Sequence, residues 1–395
     1  MLVISSTQRK PIFLSLTFLF LFLCLYFSPL RYLNSKISTT NNENSSQGSS
    51  DSNDSPFEFR NSENADRFIL DLDHQEKNEL KPWENTTRAN AAFVILTRNS
   101  ELDDLRKTMQ QLEQRFNHKF NYPYVFLNDE EFTMEFRDLT SSLTSAKTQY
   151  GIIPREHWSY PDWIDVEKAD EARRRMGEQG IIYGDSLSYR HMCRFESGFF
   201  YRHPLMEQYD FYWRVEPSVE FYCDIDYDPF LYMQENNKKY GWTISLLEFE
   251  STVPTLWKTT KDFMKEHPEM IPENNLLRFV SEDKGNTYNL CHFWSNFEIG
   301  DLNFLRSKEY SAYFDYLDKA GGFFYERWGD APVHSIAVAL FLNKSEVHFF
   351  DDIGYRHDPF MHCPLDRNVQ KKCHCNPDDN FDFTIFSCMN KWLIA

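Results

Sequence analysis

Between residues 91 and 129 the hydrophobic period of the chain changes twice, and this limits the fold more than any other feature. "AAFVILT" (residues 91–97) is a short apolar run suited to a buried strand. Ser100 then resembles an N-cap, with Asp103 three residues on. Leu102, Leu105, Met109, Leu112 and Phe116 follow at helical spacing and form one apolar stripe. "YPYVFLND" (residues 122–129) returns to a strand-like run. Strand, helix and strand in about forty residues predict a βαβ unit, because parallel strands need a long crossover. Later helices are expected at residues 168–179, 189–201, 253–267 and 301–319. Another is expected to begin with Asp330 as N-cap and Pro332 in its first turn. "YDFYWRV" (residues 209–215), "YGWTISLLEF" and "SEVHFF" read as further strands. The expected fold is one large α/β domain with a mixed, mainly parallel sheet. Ligands of such sheets sit at the carboxyl ends of the strands.

The segment before this domain has a different character. Arg9 and Lys10 precede an uncharged run over residues 12–30. Nineteen residues in a helix reach about 28 Å, close to a thin bilayer core. The expectation is a signal-anchor, with a cleaved signal peptide as the rival reading. Residues 1–11 are then a tail, and residues 31–88 a polar stem that includes "NNENSSQGSSDSNDS". Residues 89–395 form the folded domain. Asn44, Asn53, Asn85 and Asn343 open glycosylation sequons, and seven cysteines follow the apolar run. Both features suit an oxidising lumen, and the odd count leaves one thiol unpaired.

The formal net charge of −18 argues against a nucleic-acid partner, which needs a basic footprint. It also constrains any phosphate-bearing substrate. An acidic protein that binds a diphosphate needs local arginines, a helix N-terminus or a metal ion.

The stretch "WRVEPSVEFYCDIDYD" (residues 213–228) is rich in acids. Proline cannot continue a central ladder, so Glu216, before Pro217, stands at the carboxyl end of its strand. Asp224, Asp226 and Asp228 alternate with Cys223, Ile225 and Tyr227, which places the three acids on one face of an extended segment. That face is either solvated or a metal-binding D-x-D. Pattern alone leans toward Glu216.

Several longer motifs are present in order: "YRHMCRFESGFF", "YWRVEPSVEFYCDIDYD", "YNLCHFWSNFEIG", "FFYERWGDAPVHSIAVALF" and "DIGYRH". Together they resemble the fungal α-1,2-mannosyltransferases of the Kre2/Mnt1 type over residues 89–395. The resemblance implies a GT-A-like (Rossmann-like, nucleotide-sugar-binding) fold and transfer of mannose from GDP-mannose with retention of configuration. The implied acceptor is a mannosylated glycoprotein or another mannoside, and the implied cofactor is Mn²⁺. The tail, anchor and stem match that family's single-pass type II Golgi layout. By resemblance, Glu216 of "EPSV" and His357 of "IGYRH" are the metal ligands, which demotes the D-x-D. An oxygen donor with one imidazole suits Mn²⁺. Glu298 of "FWSNFEI" is the implied catalytic carboxylate. Tyr189 matches a tyrosine on a mobile loop that reaches the diphosphate and sugar.

Without the resemblance, His357 is an ordinary surface or hydrogen-bonded histidine, Tyr189 a helix-start tyrosine half buried in the core, and Glu298 a buried acid paired with an arginine. Arg98, just past the first strand, is either a nucleotide contact or a surface cation. The aromatic segment "HWSYPDWID" (residues 157–165) could line an acceptor groove, although aromatics more often serve a core. Cys373-His374-Cys375 lacks zinc-site spacing, which favours disulfides. A tethered mannan-binding lectin and a same-fold transferase with another donor or acceptor are the alternative functions.

Overall fold

Twelve short strands build three sheets in the computed structural model, which describes residue 83 and residues 86–395. They are β1 (Ala91–Leu96), β2 (Tyr124–Asn128), β3 (Thr148–Ile152), β4 (Phe211–Arg214), β5 (Glu220–Phe221) and β6 (Tyr240–Trp242), followed by β7 (Ser245–Leu247), β8 (Cys291–Phe293), β9 (Glu298–Asp301), β10 (Val347–Phe349), β11 (Tyr355–His357) and β12 (Phe360–His362). The main sheet has the order β10-β6-β9-β4-β1-β2-β3. β1 pairs in parallel with β2 and β4, as do β2 with β3 and β6 with β10. β9 enters antiparallel between β4 and β6, which makes the sheet mixed.

The period-two alternation of each strand divides the core between the two faces of this sheet. Ala92, Val94 and Tyr212 join one buried cluster, which includes side chains of the helices Leu187–Gly198, Lys308–Ala320 and Asp330–Phe341. Ala91, Phe93, Ile95, Phe211 and Trp213 join the other, together with Leu105, Met109 and Leu112 of the helix Leu102–Leu112. The βαβ unit expected from residues 91–129 is therefore present.

Several local expectations are corrected. Ser100 does not cap a helix. A 3-10 turn (Asn99–Glu101) precedes the helix, and the Glu101 carboxylate accepts from the Arg98 amide at 2.7 Å. The segment 301–319 is two helices, Leu302–Leu305 and Lys308–Ala320, because Ser307 starts a new N-cap. "YGWTISLLEF" splits between β6 in the main sheet and β7, which pairs with β8. Gly329, not Asp330, is the N-cap of Asp330–Phe341, and the Asp330 carboxylate turns inward. The expected signal-anchor lies outside the described residues. Among the described residues, no helix is long and apolar enough to cross a membrane.

A small sheet, β12-β11-β5, connects the segment after Glu216 to the carboxyl-terminal region. The disulfides Cys223–Cys373 and Cys363–Cys375 close around it, and Cys291–Cys388 ties β8 to the last turn of chain. The zinc reading of the Cys-His-Cys segment is thereby excluded, since paired sulfurs are not thiolate ligands. Cys193 is the buried free thiol of the described residues.

Candidate active site

β4 carries the side chains on which the site is built. Tyr212, Arg214 and Glu216 alternate with Trp213 and Val215, so the polar members share one face. The ladder continues to Val215, whose amide donates to the Val94 carbonyl at 3.1 Å. Pro217 then ends it, and Ser218 turns the chain with a φ of 64°. Glu216 is left at the carboxyl edge. The ends of β1 (Leu96, Thr97, Arg98) and β2 (Asn128, Asp129) reach the same edge. With Tyr183, Ser186, Ser188, Tyr189, Met192, Trp158 and His357 they enclose a cleft of about 440 Å³.

Four of the five expected site residues meet there, namely Glu216, His357, Arg98 and Tyr189. Glu216 Oε2 lies 3.6 Å from His357 Nε2. His357 Nδ1 is 3.1 Å from the Asp358 carbonyl, to which an N–H can donate, leaving Nε2 as the lone-pair nitrogen. The edge of Trp294 against the imidazole, with centroids 4.9 Å apart, holds the ring's tilt. Burial acts to raise the Glu216 carboxyl, but Arg214 and His357 outweigh it and hold it below the usual carboxylate range. Burial acts to lower the His357 imidazole, and Glu216 reverses that effect. One carboxylate oxygen and one imidazole, close enough for a single ion to touch both, fit a divalent cation such as Mn²⁺.

Arg98 is exposed, and its guanidinium donates to Ser188 Oγ. Ser188 lies in the first turn of Leu187–Gly198, whose N-cap Ser186 accepts from the Tyr189 amide at 3.1 Å. An arginine and a helix N-terminus thus face the same space as the carboxylate–imidazole pair. This helix end favours anions. Tyr189 stacks on Tyr183 with centroids 4.4 Å apart, and the Arg327 guanidinium lies 5.1 Å from its ring. Burial pushes its phenol well above the usual range, so it stays a neutral hydrogen-bond donor.

Glu298 lies elsewhere. It sits on β9 as the cross-strand partner of Arg214, fully buried, and is absent from the cleft lining. Its Oε1 accepts from Tyr240 and His334, each at 2.7 Å, and its Oε2 accepts from Tyr212 at 3.1 Å. Burial acts to lower the His334 imidazole, but Glu298 and Asp330 outweigh it and raise it above its usual value. Gly300 allows this cage, since a Cβ there would lie 2.5 Å from Tyr212 Cε1.

The D-x-D acids are occupied outside the cleft. Asp224 pairs with Arg115 at 2.7 Å, and Asp226 with Lys119 at 2.7 Å and with Lys372. Hydrogen bonds from Lys119 and Lys372 hold the Asp226 carboxyl down at about 2. Asp228 caps the helix Pro229–Glu235.

Sequence reasoning missed Arg214, Asp330 and Glu196. Arg214 Nη1 donates to Asp330 Oδ2 at 2.6 Å, and Nη2 donates to Glu216 Oε1 at 2.6 Å. Ser295 Oγ donates to Asp330 Oδ2 at 2.7 Å. Glu196 stands 4.0 Å from Arg214, and burial pushes its carboxyl up to about 7. The available signal was a set of charges in otherwise apolar segments, "YWRV" and "CRFESGFF", since buried charges require partners.

A Rossmann-like mixed sheet with a metal-competent pair, an arginine and a helix N-terminus at its carboxyl edge defines a nucleotide-sugar-dependent glycosyltransferase of GT-A type. Residues 35–395 match the family described as glycolipid 2-alpha-mannosyltransferase, and the chain belongs to that family. It is 62% identical over 307 residues to alpha-1,2 mannosyltransferase KTR1 of Saccharomyces cerevisiae, covering 77% of this chain and 78% of that protein. It is 61% identical over 318 residues to glycolipid 2-alpha-mannosyltransferase 2 of Candida albicans, covering 80% of this chain and 68% of that protein. Among solved structures, core-mannan synthase A of Aspergillus fumigatus in its Mn/GDP form superposes with a TM-score of 0.75 at 46% identity, covering 81% of this chain and 88% of that one. The mannosyltransferase Ktr4p of S. cerevisiae with GDP gives 0.75 at 41% identity, covering 80% and 83%.

The geometry separates the two acidic motifs by experiment. Glu216→Gln is expected to lower turnover at fixed Mn²⁺ by on the order of 10²-fold or more. Asp224→Asn, which breaks one exposed pair, should change it by no more than about twofold. Initial rates of the two variants check this, and the opposite ranking would move the metal site to the D-x-D.

Proposed function

We propose that this chain is a retaining, Mn²⁺-dependent α-1,2-mannosyltransferase that moves mannose from GDP-mannose to a mannoside acceptor. The observation that carries the reading is the convergence of a carboxylate–imidazole pair, Arg98 and a helix N-terminus in one cleft of an acidic protein. These are the means by which such a chain can hold a diphosphate. The names of its relatives and the Mn/GDP form of a solved relative support the donor and the metal.

Glu216 and His357 would hold the ion, which when bound offsets the charge growing on the leaving diphosphate. Arg98 and the amides opening Leu187–Gly198, which line the same cleft, would orient the phosphates. Tyr189, kept neutral by burial, donates a hydrogen bond toward phosphate or sugar. Glu298 has no cleft surface, and both its oxygens are taken, so attack on the anomeric carbon would require it to leave its cage. Its proposed part is electrostatic. It is one of the buried acids beside Arg214 that hold that guanidinium charged.

Residues 1–11 are proposed as a cytoplasmic tail, 12–30 as the signal-anchor, 31–88 as the stem and 89–395 as the catalytic domain in the Golgi lumen. Three disulfides among the described residues support an oxidising compartment. Protease protection of intact vesicles should spare the carboxyl-terminal domain, and its digestion would reverse the topology.

The direct test is incubation of the purified protein with GDP-mannose, Mn²⁺ and methyl α-mannoside, with linkage analysis of the product. An α-1,2-linked dimannoside is expected. Sugar binding without turnover would favour a lectin, and product from another donor a different transferase. Glu298→Gln is expected to reduce turnover by about 10²-fold or more while Mn²⁺·GDP binding, followed by calorimetry, stays near that of the parent. Turnover close to the parent's would make Glu298 purely structural.

A further inference from the structure

A metal site with two protein ligands depends on how firmly those two are aimed. His357 is aimed by the Asp358 carbonyl and by Trp294. Glu216 is a flexible side chain at a strand end, about a quarter exposed. What fixes it is a buried chain of charge-assisted hydrogen bonds. Ser295 donates to Asp330, Asp330 accepts Arg214, and Arg214 donates to Glu216 Oε1. Arg214, Asp330 and Ser295 are all buried. Asp330 is the first residue of Asp330–Phe341, where the helix N-terminus favours its charge.

The geometry has a directional consequence. Arg214 occupies one oxygen of Glu216, and the other is the one that faces His357 at 3.6 Å. We propose that Arg214, braced by Asp330 and Ser295, is a positioning residue that presets Glu216 to offer a single oxygen toward His357. Asp330 is consumed by this bracing, so it does not compete for the ion. Glu196 does not compete either. Its Oε2 has no hydrogen-bond partner among the described residues, and burial favours its neutral form. Glu196 Oε2 lies 4.0 Å from Arg214 Nη1, beyond hydrogen-bond reach, so the hydrogen bonds of the guanidinium to carboxylates go to Asp330 and Glu216.

The inference rests on the reading that Glu216 and His357 hold Mn²⁺, so the test includes a control for that reading. Mn²⁺ binding to the purified full-length protein, with and without GDP, is measured by electron paramagnetic resonance of the free ion. Melting without metal is recorded in parallel. Asp330→Asn keeps shape but weakens the brace, and is expected to lower Mn²⁺ affinity by about tenfold, the scale of a lost outer hydrogen bond at a metal site. Ser295→Ala should weaken it in the same direction and by less. Excess Mn²⁺ should restore turnover in both variants, which a purely structural lesion would not allow. Should Asp330→Asn fail to fold, Ser295→Ala and Arg214→Lys carry the test, since lysine cannot bridge both acids as the guanidinium does. Folded brace variants with the parent's Mn²⁺ affinity, alongside a Glu216→Gln control that has lost it, would overturn the positioning role. If Glu216→Gln itself binds Mn²⁺ normally, the metal assignment fails, and this inference fails with it.

Discussion

Arg214 is the charge on which the centre of the molecule depends. Its guanidinium is buried at the end of β4, bonded to Glu216 and Asp330 and 4.0 Å from Glu196. Burial alone would lower its pKa, yet the surrounding carboxylates drive it well above the usual value. Removing a cation from such a setting leaves buried acids uncompensated, which typically costs several kcal/mol. The same residue ties three parts of the fold to one point: β4, the helix Asp330–Phe341, and the loop that holds Ser295.

The surrounding architecture delivers partners to that point from distant parts of the sequence. β9 brings Glu298 alongside Arg214, and His334 on Asp330–Phe341 closes the cage around it. The small sheet brings His357 to the rim, 141 positions beyond Glu216 in the numbering. Cys223–Cys373 ties the segment leaving Glu216 to the carboxyl-terminal region, and Cys363–Cys375 closes that region just past β12, so disulfide formation and the metal-competent geometry are physically linked.

Cation and anion are separated by function in this acidic chain. The exposed D-x-D acids are neutralised by Arg115, Lys119 and Lys372, away from the cleft. Arg98 stays at the mouth of the cleft, its side chain tied to neutral Ser188 rather than to an acid. One guanidinium is thereby kept at a cleft whose lining also carries Glu101, Asp104, Asp129 and Glu216.

The sequence by itself determined the alternation of strands and helices, because period two and period 3.6 are local properties of side-chain order. It also placed Glu216 at a strand end, because Pro217 forbids further pairing, and the long motifs carried the family. Only the tertiary structure decided which acids are available. Asp224 and Asp226 look free in the sequence and are paired in the fold. Asp330 looks like a helix cap and instead braces Arg214. Glu298 reads as a buried acid beside an arginine, or by resemblance as the catalytic carboxylate, and the fold encloses it among Tyr212, Tyr240 and His334 opposite Arg214. These outcomes depend on contacts between residues tens to more than a hundred positions apart. A carboxylate's chemistry is set by the charges and donors around it, and no local pattern encodes which of them will arrive.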